Sequence, residues 1–276
     1  MNKIILENEY LNIIILPELG GRIDSIIYKP TNKNWVWKNK NLKNNFVSKN
    51  SNYDDNWQGG WEELFPNDAI EEFTWGSGLD HGELWSTQWK VESSNSEEVL
   101  LSTNNLDSET IFFKKIVVFE NNVEVKYEAD INFSDYFLFK LHLAVPIDEK
   151  SEVISDCKKI EKVEKDFGNI IDQQVESFFN LKKDSGYFDF GYLNLQTNRV
   201  SVKDSLNNLM ELTFDNENLR YFWIFQSQGG WRNHNVLVLE PASNSRKYLN
   251  DAISRNTAKK GPLHFKCNYK VNFYNE

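Results

Sequence analysis

The chain has 276 residues, 40% hydrophobic and 26% charged, which excludes a disordered segment and leaves ample length for a sizeable core. Its 41 acidic and 31 basic residues give a net charge of −10, so a broad electrostatic footprint for nucleic acid or an anionic membrane is not expected. Two cysteines, Cys157 and Cys267, lie far apart without ligand-pair spacing. That argues against a disulfide framework or a zinc site and for a reduced, cytoplasmic setting. The Lys-Lys pairs beginning at Lys114, Lys158, Lys182 and Lys259 are isolated among acids and read as solvated faces.

In chain order, the first apolar run, Ile13-Ile14-Ile15-Leu16, is too short for a signal peptide or a membrane span. Runs Leu11–Leu16 and Arg22–Tyr28 read as strands around a Pro-Glu-Leu-Gly-Gly turn. The segment from Gly59 to Trp89 then concentrates His81, several carboxylates and four tryptophans, Trp61, Trp75, Trp85 and Trp89, between glycines. Indoles and short polar side chains on loops suit a sugar, a polar ring with an apolar face. The plain alternative is a turn-rich connection whose tryptophans fill a core.

Two long β-type runs, Thr110–Phe119 and Val123–Phe133, are split by Asn121-Asn122. Phe137–Val145 alternates Phe, Phe, Leu, Leu and Val with Leu138, Lys140, His142 and Ala144. Gly191–Leu195, Val200–Val202, Leu209–Phe214, Tyr221–Phe225 and Val236–Leu239 continue the period of two. One helical pattern stands out, Ser245–Arg255, with Tyr248, Leu249, Ala252 and Ile253 on one face and Ser243 or Asn244 as its cap. No fixed repeat or linker appears. The expected architecture is all-β: one large antiparallel β-sandwich domain over residues 1–276 with one short C-terminal helix.

Among the four histidines, His142 shares a strand face with Lys140 and Ala144. That face meets either solvent or a concave pocket where an imidazole would exchange a proton. His81 lies in a glycine-flanked loop, while His234 and His264 read as rim and surface residues. Glu240 closes an apolar run before Pro241, so it either faces water at a strand end or is partly buried with a raised pKa, as a general base. No metal-ligand cluster, phosphate loop or nucleophile elbow is present, so chemistry without metal or cofactor is expected.

Three segments in order resemble the aldose 1-epimerase (galactose mutarotase-like) superfamily: Leu19-Gly20-Gly21-Arg22-Ile23; Gly60-Trp61-Glu62-Glu63-Leu64-Phe65-Pro66-Asn67 with Asp80-His81-Gly82-Glu83-Leu84-Trp85; and Val238-Leu239-Glu240-Pro241-Ala242-Ser243 before a short helix. The resemblance implies a large antiparallel sandwich that interconverts α and β anomers of an aldose. It implies Glu240 as general base, His142 as general acid, and His81, Arg22, Trp61, Trp85 and Gln226 as residues binding a small sugar. An Asn-Arg-Ile element typical of galactose mutarotases is missing. Trp85 stands where phosphate-specific relatives carry Arg, which favours a neutral sugar unless Arg22, Arg232 or Arg246 binds an anion. The competing readings are a non-catalytic carbohydrate-binding protein of the same fold, a hexose-6-phosphate mutarotase, or a glycoside-processing enzyme pairing Glu240 with Glu63 or Glu83. The sequence leaves the oligomeric state open.

Overall fold

A computed structural model describes residues 2–148, 150–163, 170–179, 181 and 183–275. Two antiparallel sheets dominate the described residues. The larger has eleven strands. They run, side by side, Ile4–Glu7, Leu11–Leu16, Arg22–Tyr28, Trp61–Leu64, Lys140–Pro146, Asn235–Ala242, Tyr221–Gln228, Tyr187–Asn194, Lys159–Val163 and Ile170–Gln173, with Lys33–Asn34 added on Arg22–Tyr28. The smaller has eight: Glu152–Ser155, Arg199–Lys203, Asn208–Phe214, Leu263–Asn275, Asn122–Ile131, Ile111–Phe119, Glu98–Thr103 and Lys90–Ser94. The expected sandwich is therefore found. Among the described residues no helix is long and apolar enough to cross a membrane.

Alternation builds the layers. In Leu263–Asn275, Phe265, Cys267, Tyr269, Val271 and Phe273 are buried, while Lys266, Asn268 and Lys270 between them are exposed. The small sheet is thus apolar towards its partner and polar towards water. The central strands of the large sheet differ. Every residue from Lys140 to Val145 and from Val236 to Ala242 is buried, so both faces are covered. Leu141, Leu143, Val145, Leu237 and Leu239 face the inter-sheet core. The opposite face carries Lys140, His142, Ala144, Val236, Val238 and Glu240, and it meets loops and short helices instead of a third sheet.

Several boundaries depart from expectation. Asn122 belongs to its strand, opposite Phe119, so the hairpin turn is Glu120-Asn121. The run expected to end at Leu239 continues through Glu240 and Pro241 to Ala242, placing Glu240 inside a central strand and not at its end. The helix expected over Ser245–Arg255 spans only Leu249–Ser254 and starts from Tyr248, without a side-chain cap. Ser243 and Asn244 are occupied elsewhere. Ser243 Oγ accepts from the Phe139 amide at 2.9 Å, and Asn244 Nδ2 donates to the Phe137 carbonyl at 2.9 Å. Two further one-turn helices, Tyr53–Asn56 and Val175–Phe178, had no legible period because each is only four residues long.

Lys114 corrects the reading of its Lys-Lys pair as a solvated face. It takes a core position between Phe112 and Ile116 and crosses to the other sheet, 2.7 Å from Glu63 Oε1, with both side chains fully buried. Its ammonium also donates to the Gly21 carbonyl at 3.0 Å, and Tyr127 Oη donates to Glu63. Burial pushes the Glu63 carboxyl up, and Lys114 opposes that shift. Removing one partner of such a pair strands a buried charge, so Lys114→Ala is expected to cost about 3–5 kcal/mol. The double replacement Lys114→Met with Glu63→Leu should cost clearly less. Urea denaturation of both variants checks this.

Candidate active site

A cleft of about 320 Å³ opens on the covered face of the large sheet. Sheet register explains why its polar groups converge. Glu62 pairs with His142, and Glu240 pairs with Trp223. Between them, the paired residues Lys140–Ala242 and Leu143–Leu239 put His142 opposite Glu240. The ladder is interrupted there, beside Pro241, which has no N–H to donate. Cross-strand neighbours project to the same face, so Glu62, His142, Glu240 and Trp223 form one row across four strands. The two residues expected to be catalytic, His142 and Glu240, therefore meet in the cleft lining together with His81.

Two polar residues not singled out from the sequence complete the floor. Lys140 Nζ lies 2.5 Å from Asp68 Oδ2 and 2.5 Å from Glu240 Oε2, with all three side chains buried. The ammonium also sits 4.7 Å from the centre of the Trp223 ring. Burial pulls the Lys140 pKa down, but the two carboxylates outweigh it and raise it. Burial pushes Asp68 up, yet Lys140, with His81 and Lys247, holds its carboxyl far below the usual range. Glu240 is different: burial raises it and Lys140 offsets that only in part. One carboxylate stays ionised while the other keeps a higher proton affinity, a division of roles set by environment. Burial, then Lys140 and His81, drive the His142 pKa well below its ordinary value, so its imidazole is neutral at physiological pH.

His81 is placed by its loop. Its amide donates to the Asp68 carbonyl at 2.8 Å, and Nδ1 lies 2.7 Å from Asp80 Oδ1. The next residue must be glycine. Gly82 has a φ of +73°, and a Cβ there would stand 2.2 Å from the Phe65 carbonyl oxygen. Asp80 also accepts from the Tyr53 amide at 2.8 Å, and the Tyr53 ring stacks on His81 with centroids 4.0 Å apart.

The other expected binding residues are not in the cleft lining. Trp61 is wholly buried between the sheets, and its Nε1 donates to the Ala144 carbonyl at 3.1 Å. Trp85 packs edge-on behind Tyr53 and donates to the Asp80 carbonyl. Gln226 is wholly buried, with Nε2 on the Phe178 carbonyl at 2.5 Å. Arg22 lines a separate small recess with Glu62, 3.1 Å from Asp24 and bonded to Asn44 and Gln58. The aromatic wall is formed instead by Trp57, Trp231, Phe225, Phe188 and Phe190. Glu63 and Glu83, the proposed glycosidase partners of Glu240, are structural: Glu63 pins Lys114, and Glu83 accepts the Asp107 and Ser108 amides. Among the described residues, no group of three or more His, Cys, Asp or Glu side chains is arranged to hold a metal ion.

Comparisons with known proteins agree with this architecture. A family model described as a domain of unknown function (DUF5107) matches residues 1–68. No curated protein matches. A protein of Synechocystis sp. PCC 6803 superposes with a TM-score of 0.78 at 15% identity, over 100% of this chain and 96% of its own. A galactose mutarotase related enzyme from Lactobacillus acidophilus gives 0.73 at 14% identity, covering 99% and 97%. A galactose mutarotase-like protein from Lactobacillus casei ATCC 334 gives 0.76 at 13% identity, covering 99% and 100%. The chain has the galactose mutarotase-like fold.

Lys140→Ala should destabilise by about 3–5 kcal/mol at pH 7, because Asp68 and Glu240 lose their buried counter-charge. The deficit should shrink on acidification. In the parent, Asp68 has a depressed pKa, so its contribution is lost as pH falls. In the variant the stranded carboxylates gain stability by taking up protons. Denaturation midpoints at pH 7 and pH 4.5 test the gain in the variant, and midpoints at pH 4.5 and pH 2.5 test the loss in the parent, which sets in only below the ordinary aspartate pKa of 3.8.

Proposed function

We propose that this protein is a cofactor-independent mutarotase of unphosphorylated aldoses, a reading carried by the juxtaposition of Glu240 and His142 beneath an aromatic wall. Glu240, the carboxylate of higher proton affinity, removes the proton of the anomeric hydroxyl. The His142 side of the cleft protonates the ring oxygen. The ring opens to the aldehyde, the C1–C2 bond rotates, and the ring closes on the other face with the proton movements reversed. Asp68, held ionised by Lys140, and His81 bond sugar hydroxyls, while Trp57 and Trp231 cover the apolar face of the ring.

The arginines support a neutral substrate. Arg22 is paired with Asp24, Arg232 with Asp55 at 2.7 Å and Arg246 with Glu161, and none lines the cleft. One observation favours a second reading, a non-catalytic carbohydrate-binding protein: the Lys140 ammonium contacts Glu240 directly and lowers its basicity. Calorimetric binding of a sugar whose anomers the protein does not interconvert would select that reading.

Glu240→Gln and His142→Ala should each slow mutarotation by about 10²-fold or more while leaving the fold intact. Polarimetry on fresh α-anomers, with circular dichroism of the variants, measures both. Parent-like rates in the two variants remove the assignment. Turnover efficiency on matched free and 6-phosphorylated hexoses should favour the free sugar. The opposite preference points to a hexose-6-phosphate mutarotase and to Lys247, which borders the cleft 3.4 Å from Asp68.

A further inference from the structure

General-acid chemistry at His142 meets a physical obstacle. Its imidazolium is disfavoured by burial and by Lys140, so the proton destined for the ring oxygen needs another reservoir. The groups behind the ring supply one. Tyr53 Oη lies 3.2 Å from His142 Nδ1 and is hydrogen-bonded to Glu62 Oε1. All three residues are at most 7% exposed. The Tyr53 ring is clamped flat on His81 and edge-on by Trp85, which fixes where its hydroxyl points.

We propose that Glu62 and Tyr53 are positioning residues for His142, a buried relay that stores the proton and decides which imidazole nitrogen carries it. The donor pattern has two consistent settings. With Glu62 ionised, Tyr53 O–H donates to Glu62, His142 Nδ1–H donates to Tyr53, and Nε2 is an acceptor. With Glu62 protonated, Glu62 O–H donates to Tyr53, Tyr53 O–H donates to Nδ1, and Nε2–H is a donor. The settings differ by one proton, and neither leaves a charge on the imidazole.

During ring opening, Nε2–H gives its proton to the ring oxygen. Nδ1 takes the Tyr53 proton, and Tyr53 takes the Glu62 proton. Glu240 meanwhile accepts the anomeric proton. The balance is Glu62 from acid to carboxylate, Glu240 from carboxylate to acid, and the cyclic sugar to its open hydroxy-aldehyde. Closure returns both protons.

The surroundings suit a reservoir working near neutrality. Burial raises the Glu62 carboxyl to about 7, against Arg22 on the adjoining strand, the Tyr53 hydroxyl and His81, with Glu63 on its own strand adding to the rise. His142 is faced by Lys140 on its own strand, Asp68 and His81 from the loops, and Glu240 across the register gap. The tautomer switch follows from the hydrogen-bond geometry together with the raised Glu62 carboxyl; only its catalytic consequence depends on the mutarotase reading.

Long-range ¹H–¹⁵N spectra of histidine-labelled protein between pH 5.5 and 8.5 test the relay without any substrate. The relay predicts that His142 passes from the Nδ1–H to the Nε2–H tautomer as pH falls through about 7, and that Glu62→Gln and Tyr53→Phe each abolish the change. In kinetics, Tyr53→Phe should lower kcat by about 10²-fold with little change in KM and remove the limb of the pH profile near 7. One tautomer throughout, titration of His142 to imidazolium in that range, or an unchanged switch in both variants overturns the proposal. A tautomer switch in a wild-type protein that interconverts no anomers upholds the relay and removes the mutarotase reading. Catalysis without the switch does the reverse.

Discussion

The Lys140 ammonium, 2.5 Å from both Asp68 and Glu240 in a buried floor, sets the electrostatics of the whole cleft. A buried cation shared by two carboxylates leaves one negative charge over, and the protein divides it unequally. His81 acts on both, but Asp68 also feels Lys247 and stays ionised, whereas burial leaves Glu240 with affinity for a proton. Burial, reinforced by the same ammonium, suppresses the imidazolium of His142. A charged histidine is thus disfavoured in the cleft, and under the proposed mutarotase reading the acid would draw its proton from Tyr53 and Glu62, which stand behind the ring.

This arrangement depends on a sheet covered on both faces. The inner face of the central strands is leucine and valine against the small sheet, and the Lys114–Glu63 pair ties the two layers. The outer face is then free to carry Lys140, His142 and Glu240 on rigid backbone. Neighbouring strands hold these groups in register, with Lys140–Ala242 and Leu143–Leu239 paired on either side of the gap at His142 and Glu240. The loops contribute what a sheet cannot: His81 folded over the floor, and Trp57 and Trp231 forming a wall with ring centroids 5.8 Å apart.

Much of this was legible in the sequence because it follows period two. Alternation put His142 and Lys140 on one face, and the strand pattern located the sandwich. The role of Lys140 was not legible, since its partners come from residue 68 on a loop and residue 240 on another strand. Lys114 misled for the same reason: a lysine beside a second lysine looks solvated until Glu63 is placed opposite. Trp61 and Trp85 stood in a block shaped like a sugar site, but both indoles serve packing, and the cleft-facing pair Trp57 and Trp231 lay outside it or far along the chain. Tyr53 sits in a polar, asparagine-rich stretch with no periodic signal, and only the fold brings its hydroxyl to His142.

Anomer exchange is the property on which the account stands or falls. Magnetisation-exchange NMR between the α and β anomeric protons of unphosphorylated aldoses, at equilibrium and with catalytic amounts of protein, reads it without coupling enzymes. The account predicts accelerated exchange for at least one aldose, saturable in sugar and unaffected by a chelator. A sugar that binds in the cleft, seen by transferred line broadening, yet exchanges at the buffer rate would contradict it and make the protein a binder of carbohydrate.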